Sequence, residues 1–125
     1  MRDYSPRGSR SHPTILVVDD DIYVHGTLAA ALRGLRPTIV AAKTAAEALD
    51  AAVAEHPDLA IVDLGLPDLD GYELTRRLRH LKGMRGLRIV ILSGYVPDRG
   101  AASDAGADAM LAKPFRLNEF VETVE

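Results

Sequence analysis

Short apolar runs recur along the chain, each stopped by a polar turn and followed by apolar residues at helical spacing. The runs are Thr14-Ile15-Leu16-Val17-Val18, Thr38 to Ala42, Leu59-Ala60-Ile61-Val62, Leu87-Arg88-Ile89-Val90-Ile91-Leu92 and Ala109-Met110-Leu111-Ala112. Runs of this length bounded by turn signals predict strands buried on both faces. The run from Thr38 to Ala42 is less apolar at its ends and predicts an edge strand. After the first run, Asp21 offers an N-cap, and Val24, Leu28, Ala31, Leu32 and Leu35 form one stripe, with Gly34 and Pro37 closing the segment. Thr44-Ala45-Ala46-Glu47 is a capping-box pattern, and it opens a helix whose predicted buried face is Ala45, Ala48, Leu49, Ala52 and Val53.

His56-Pro57 ends that helix. Asp70-Gly71-Tyr72-Glu73 predicts a third capped start, with Leu74, Leu78 and Leu81 facing inward and Arg76, Arg77, Arg79 and His80 facing water. Lys82 to Gly86 reads as a loop. A weak helix follows Val96-Pro97-Asp98, with Gly100 inside it and Gly106 as its stop. Leu117, Phe120, Val121 and Val124 stripe a last helix. Strand and helix thus alternate throughout, which predicts an α/β fold: a parallel sheet with helices on both faces. No internal repeat or second domain is visible.

Bulk composition narrows the function. The 125 residues are 47% hydrophobic and 26% charged, ordinary for one globular domain with a real core. Residues 1–13 are rich in Ser, Arg, Pro and Gly and lack periodicity, so they predict a disordered tail, with the folded domain at 14–125. The first twelve residues carry Arg2, Arg7 and Arg10 against Asp3, a net of +2, which leaves −5 for the rest of a chain whose total is −3. An acidic body argues against direct nucleic-acid binding. There is no Cys, hence no disulfide and no thiol chemistry. No apolar run approaches the roughly 20 residues of a membrane span, and no apolar signal core is present, so a cytoplasmic location is expected.

The candidate chemistry lies at the strand ends. Asp63 follows four apolar residues, where a carboxylate is costly without a task or a partner. The first strand ends in Asp19-Asp20-Asp21, and three consecutive acids there require a cation or a helix N-terminus. Asp21 has its cap; Asp19 and Asp20 have no such local reason. The fourth strand ends in Ser93 and the fifth in Lys113. In open parallel sheets ligands bind at this carboxyl edge. If the first, third, fourth and fifth strands are neighbours, three carboxylates, one hydroxyl and one ammonium share a pocket. Such an oxygen-only acidic cluster suits Mg²⁺ or Mn²⁺. A metal beside a carboxylate favours phosphoryl transfer to it, since Asp can act as the nucleophile and Lys and Ser can hold phosphoryl oxygens. His12, His25, His56 and His80 have no metal-ligand spacing and read as surface or structural residues.

With these residues in order, the chain resembles the receiver domain of two-component response regulators. The resemblance runs from Thr14 to Glu125. It is carried by Val17-Val18-Asp19-Asp20, by Val62-Asp63-Leu64-Gly65-Leu66-Pro67-Asp68-Leu69-Asp70-Gly71, by Leu92-Ser93-Gly94 and by Lys113-Pro114-Phe115. It implies a flavodoxin-like, doubly wound five-stranded sheet of order 2-1-3-4-5. It implies that Asp63 is the phosphoacceptor for a sensor histidine kinase or histidine phosphotransfer protein. It further implies that Asp20, Asp63 and the Gly65 carbonyl hold Mg²⁺, with Asp19 acting directly or through a water. Ser93 and Lys113 would bind the phosphoryl oxygens, and a downstream effector would read the face of the fourth helix, fifth strand and fifth helix. The domain would not be an enzyme beyond its own phosphorylation and slow dephosphorylation. Relatives often have a cis peptide at the Lys113-Pro114 position.

Two departures stand out. Met110 occupies the position three before Lys113 where the family usually has Tyr or Phe. No output domain follows the last helix, which fits a single-domain regulator or a module of a longer protein. Other readings fare worse on the residues. A haloacid-dehalogenase-type phosphatase wants a second Asp two residues after the first, and position 65 is Gly. A flavodoxin-like nucleotide carrier needs a phosphate loop where Asp19-Asp20-Asp21 would repel phosphate. A degenerate receiver used only for protein binding has no need of the intact pocket.

Overall fold

The structure, a computed structural model, describes residues 12–84, 86–94, 98–113 and 122–123. Most of the predicted tail, the Lys113-Pro114 peptide and the stripe of the last helix lie outside the described residues. The elements run β1 (Thr14–Val18), α1 (Ile22–Ala31), β2 (Thr38–Ala42), α2 (Ala45–Glu55), β3 (Leu59–Asp63), α3 (Gly71–His80), β4 (Arg88–Ser93), α4 (Arg99–Ala105) and β5 (Ala109–Ala112). A short 3-10 turn, Arg33–Leu35, follows α1. The five strands form one parallel sheet in the order β2-β1-β3-β4-β5, the expected doubly wound α/β arrangement. Chain order reverses between β1 and β3, which opens a crevice at their carboxyl ends.

Alternation along the central strands divides the core into two layers. Leu16, Val18, Ala60, Val62 and Ile89 meet α2 and α3 through Ala45, Ala48, Ala52, Leu74 and Leu78. Ile15, Val17, Ile61, Val90 and Leu92 meet Leu28 and Leu32 on the other face. Each Leu, Ile or Val so buried contributes roughly 1.5–3 kcal/mol. Small alanines on α2 bring that helix close to the sheet, and a third cluster of Ile91, Ala102 and Met110 seats α4.

The caps are those the sequence specifies, with additions. Asp21, Thr44, Asp70 and Asp98 each accept a backbone N–H of the helix they open. The capping box of α2 is shifted: Thr44 accepts from Glu47 N–H, but Glu47 reaches back to Lys43 N–H. Asp68 completes this helix end from a distant loop, accepting Ala45 N–H at 2.9 Å and Ala46 N–H at 3.1 Å. Pro13 is buried and its carbonyl accepts from Thr38 N–H, so the sheet ladder reaches one residue before β1.

Three side chains depart from the expected pattern. Val53, predicted on the buried face of α2, is 59% exposed, because the alanines complete the contact with the sheet and Ala51 turns inward instead. Met84, placed in a loop, is buried in the α2/α3 layer. Arg79, predicted to face water, reaches across the base of the sheet. Its guanidinium donates to the Gly106 carbonyl at 2.7 Å, to the Leu87 carbonyl and to Asp108 at 2.7 Å. Its aliphatic stem packs where a Cβ on Gly106 would lie 2.9 Å from Arg79 Cγ, and Gly106 has φ +103°. Both observations require glycine at the C-terminus of α4.

Arg79→Ala removes donors from two partly buried carbonyls and from the exposed Asp108 carboxylate, and urea unfolding should show a loss of about 2–4 kcal/mol that Arg79→Lys does not restore. Asp68 supplies a pH signature. The α2 amides, Ala45 first, hold its carboxyl below the ordinary 3.8. The folded state then binds that proton less readily than the unfolded chain. Its stabilisation is therefore complete above 3.8 and is lost as pH falls below it. Urea unfolding of wild type and Asp68→Ala should show a gap near neutral pH that closes in acid.

Candidate functional site

Ladder bonds that continue past the strand ends place each candidate residue. Asp19 N–H donates to the Ala42 carbonyl at 3.0 Å, Leu64 N–H to Leu92 at 2.9 Å and Lys113 N–H to Ser93 at 2.6 Å. Asp63 pairs with Leu92 and Ser93 with Ala112 in the sheet register. The turn after Asp63 closes tightly, with Gly71 N–H donating to the Leu64 carbonyl at 2.9 Å. A Cβ on Gly71 would stand 2.8 Å from both Asp63 O and Leu64 Cα, so only glycine permits this closure. The Asp70-Gly71 pair thus returns the chain as α3 directly beside the strand end.

The result is a compact acidic cluster. One carboxylate oxygen from each of Asp19, Asp20 and Asp63 lies within 4.8 Å of the others. Lys113 Nζ donates to Asp19 Oδ2 and to Asp63 Oδ1, each at 3.1 Å. Asp19 is 1% exposed and all its polar groups are engaged. Its N–H meets Ala42, its carbonyl meets the His25 ring, Oδ1 accepts from Asp21 N–H and Oδ2 from Lys113. Asp63 is 8% exposed. Asp20 is exposed and accepts no hydrogen bond among the described residues. Ser93 is fully buried at the end of β4, and Gly65 is exposed on the loop after Asp63. The five predicted strand-end residues therefore converge on one edge of the sheet.

Electrostatics follow from burial. Desolvation pushes the Asp19 carboxyl up from 3.8 and the Asp63 charge adds to this, while the Asp21 N–H and Lys113 pull it back. Burial alone would lower the Lys113 ammonium, but its bonds to Asp19 and Asp63 outweigh that and hold it above 10.5. The site thus retains a positive charge lodged between carboxylates. Its donor set is all oxygen, which fits a hard divalent cation better than a thiol- or imidazole-seeking metal.

Two participants escaped the sequence reading. His25 bonds the Asp19 carbonyl at 2.6 Å, a contact six residues apart that no motif announces. Tyr72, read only as part of a helix start, packs against the cluster of Ile91, Ala102 and Met110. Burial raises its phenol above 10.0, and the charges of Asp98 and Asp70 add to this.

Comparison with known proteins adds a family. The sequence profile of the response regulator receiver domain matches residues 15–125. Response regulator MprA of Mycolicibacterium vanbaalenii is 37% identical over 107 residues, covering 86% of this chain and 46% of that protein. Transcriptional regulatory protein PrrA of Mycobacterium tuberculosis is 37% identical over 113 residues, covering 90% and 48%. The chain spans about half the length of these curated relatives. A CheY-like response regulator receiver domain protein of Methanospirillum hungatei superposes with TM-score 0.83 at 30% identity, covering 91% of each chain. The receiver domain of sensor histidine kinase PA1611 of Pseudomonas aeruginosa, solved with a magnesium ion in its active-site cleft, gives TM-score 0.77 at 30% identity, covering 89% of this chain and 93% of that one.

The cluster predicts opposite effects from two neutral substitutions in chelator-treated protein. Asp20→Asn relieves repulsion without breaking any hydrogen bond among the described residues and should raise stability by about 1–2 kcal/mol. Lys113→Met leaves Asp19 and Asp63 facing each other and should lower it by about 2–4 kcal/mol. Thermal melts of both variants beside wild type provide the check; equal melting temperatures would remove this account of the site.

Proposed function

The chain belongs to the response regulator receiver domain family, and from that premise we propose that it is a phosphoacceptor, with Asp63 taking a phosphoryl group from histidine. The observation that carries this reading is the Lys113 ammonium held 3.1 Å from Asp19 and from Asp63, with Asp20 beside them. The Asp63 carboxylate would attack phosphorus while the bond from phosphorus to the donor imidazole breaks. Lys113 and, at the end of β4, Ser93 would receive the phosphoryl oxygens. Asp20, Asp63 and the Gly65 carbonyl would hold Mg²⁺ or Mn²⁺, with Asp19 direct or through a water, and the cation would neutralise the charge building on the transferred group. The magnesium in the cleft of the PA1611 receiver supports this assignment.

On this reading the receiver unit is residues 14–125, preceded by a tail at 1–13. The donor is a sensor histidine kinase or a histidine phosphotransfer protein. Catalysis is limited to the domain's own phosphorylation and slow dephosphorylation. The output is a change in shape read by an effector at α4, β5 and the helix expected after Lys113. Arg99 donates to the Met110 carbonyl at 2.9 Å, and a cleft of about 110 Å³ lies between α4 and β5 there. Met110 is buried with Ile91, so a displacement at the end of β4 has a packed path to that face. No helix among the described residues is long and apolar enough to cross a membrane. The proposal places the domain in the cytoplasm, without direct contact to nucleic acid.

Intact mass after incubation with Mg²⁺ and acetyl phosphate tests the chemistry. Wild type should gain one phosphoryl group only when Mg²⁺ is present, and Asp63→Asn should gain none; an equal adduct in the variant sinks the assignment. Backbone NMR with a beryllofluoride mimic tests the output. Shifts should spread from Asp63 through Ser93 to Met110 and Tyr72, and Ser93→Ala should confine them to the acidic cluster. Wild-type shifts that never leave the cluster would favour a receiver that serves only as a binding surface.

A further inference from the structure

Asp20 differs from its two partners in how its position is set. Asp19 and Asp63 are buried at strand ends and gripped by Lys113. Asp20 lies just past the strand, exposed, with no hydrogen bond to its carboxylate among the described residues. Its direction therefore depends on its backbone, which means on the two peptides that flank it. The peptide from Asp20 to Asp21 is held by its N–H, which donates to Asp19 Oδ1 at 2.9 Å. The peptide from Asp19 to Asp20 is held by its carbonyl, and the group that holds it is the His25 ring at 2.6 Å. A carbonyl only accepts, so Nε2 carries the proton and donates. His25 Nδ1 is buried and has no partner among the described residues, so the ring has a single polar tie, and that tie is to the site.

From this we infer that His25 is a positioning residue: by holding the Asp19 carbonyl it sets the peptide that aims Asp20 at the cation. The inference rests on the reading of the acidic cluster as a cation site. His25 lies on the first turns of α1, and its bond to the strand end also ties the start of that helix to the site. Without the ring, the Asp19 carbonyl turns to water and one of the two restraints on Asp20 is gone. Asp20 then spends part of its time directed elsewhere, and the cation must recover that ordering from its own binding energy.

Calorimetric titration of the unphosphorylated protein with Mg²⁺ alone provides the test, with NMR of the Asp20 and Asp21 amides as a metal-free readout. His25→Leu should raise the Mg²⁺ dissociation constant roughly two- to tenfold, the equivalent of one lost hydrogen bond. It should also shift both amides, and its phosphorylation deficit should shrink as Mg²⁺ is raised. His25→Gln, whose amide N–H can replace the ring donor, should recover most of the affinity and the amide positions. Wild-type affinity in His25→Leu overturns the inference. Equal losses in the Leu and Gln variants also overturn it, because the hydrogen bond would then not be the cause. If wild type itself takes up no Mg²⁺, the cation-site reading falls first and this inference with it.

Discussion

The site depends on one ammonium between two buried carboxylates. Parallel strands carry chemistry at their carboxyl ends because adjacent strand ends point into the same crevice, and here that geometry forces like charges together. Lys113, 3.1 Å from Asp19 and from Asp63, contacts two of the three acids, but its single positive charge leaves the cluster with an excess of negative charge. A fold selected for stability alone has no reason to keep this residual charge, since a buried ion pair replaced whole by well-packed apolar residues often costs nothing, whereas removing one partner strands the other. Its placement at the crevice, among Asp19, Asp63 and Lys113 fixed at the strand ends by ladder bonds, is the physical argument for a cation and a transferred anion.

The two edges of the sheet are built to opposite ends. At the amino edge several polar groups bond to strand and helix ends. Asp58 accepts Thr14 N–H at 2.8 Å, Asp108 accepts Ile89 N–H at 2.8 Å, and Arg79 joins α3 to the Leu87 and Gly106 carbonyls. At the carboxyl edge, Asp20 accepts nothing among the described residues and Gly65 lies exposed. The ties at the amino edge help offset the electrostatic cost of the acidic cluster at the carboxyl edge.

Strand and helix alternation, the capping aspartates and the strand-end acids were all legible in the sequence, because each is a local pattern with a fixed period or offset. The pocket itself was legible only through the strand order, which brings residues as distant as Asp19 and Lys113 into contact. What escaped were long side chains whose partners lie far along the chain. Arg79 reads as the wet face of a basic helix, yet its acceptors lie on α4 and on the approaches to β4 and β5. Asp68 reads as a loop acid, yet it caps α2 from more than 20 residues away. Val53 misled for a different reason: helical period gives the stripe, but the width of the buried face depends on how closely alanine lets the helix approach the sheet.

Met110 shows how packing reinterprets a missing residue. Judged by sequence alone, a methionine in place of an aromatic removes a ring from the path between site and surface. In the folded chain Met110 is buried with Ile91 and Ala102, and Tyr72 and Leu64 pack against the same cluster. Leu64 follows Asp63 directly, and Tyr72 opens α3 just after the closure at Gly71. Among the described residues, the aromatic ring packed beside Met110 thus comes from the start of α3 rather than from β5. An unbranched methionine suits that arrangement, because it can repack against a neighbouring ring with little rotamer cost. Tyr72 also lies near Asp98, the N-cap of α4, whose charge contributes to the raised phenol. Leu64 from the turn after Asp63, Tyr72 from α3 and Ala102 from α4 thus meet in one packed cluster with Met110.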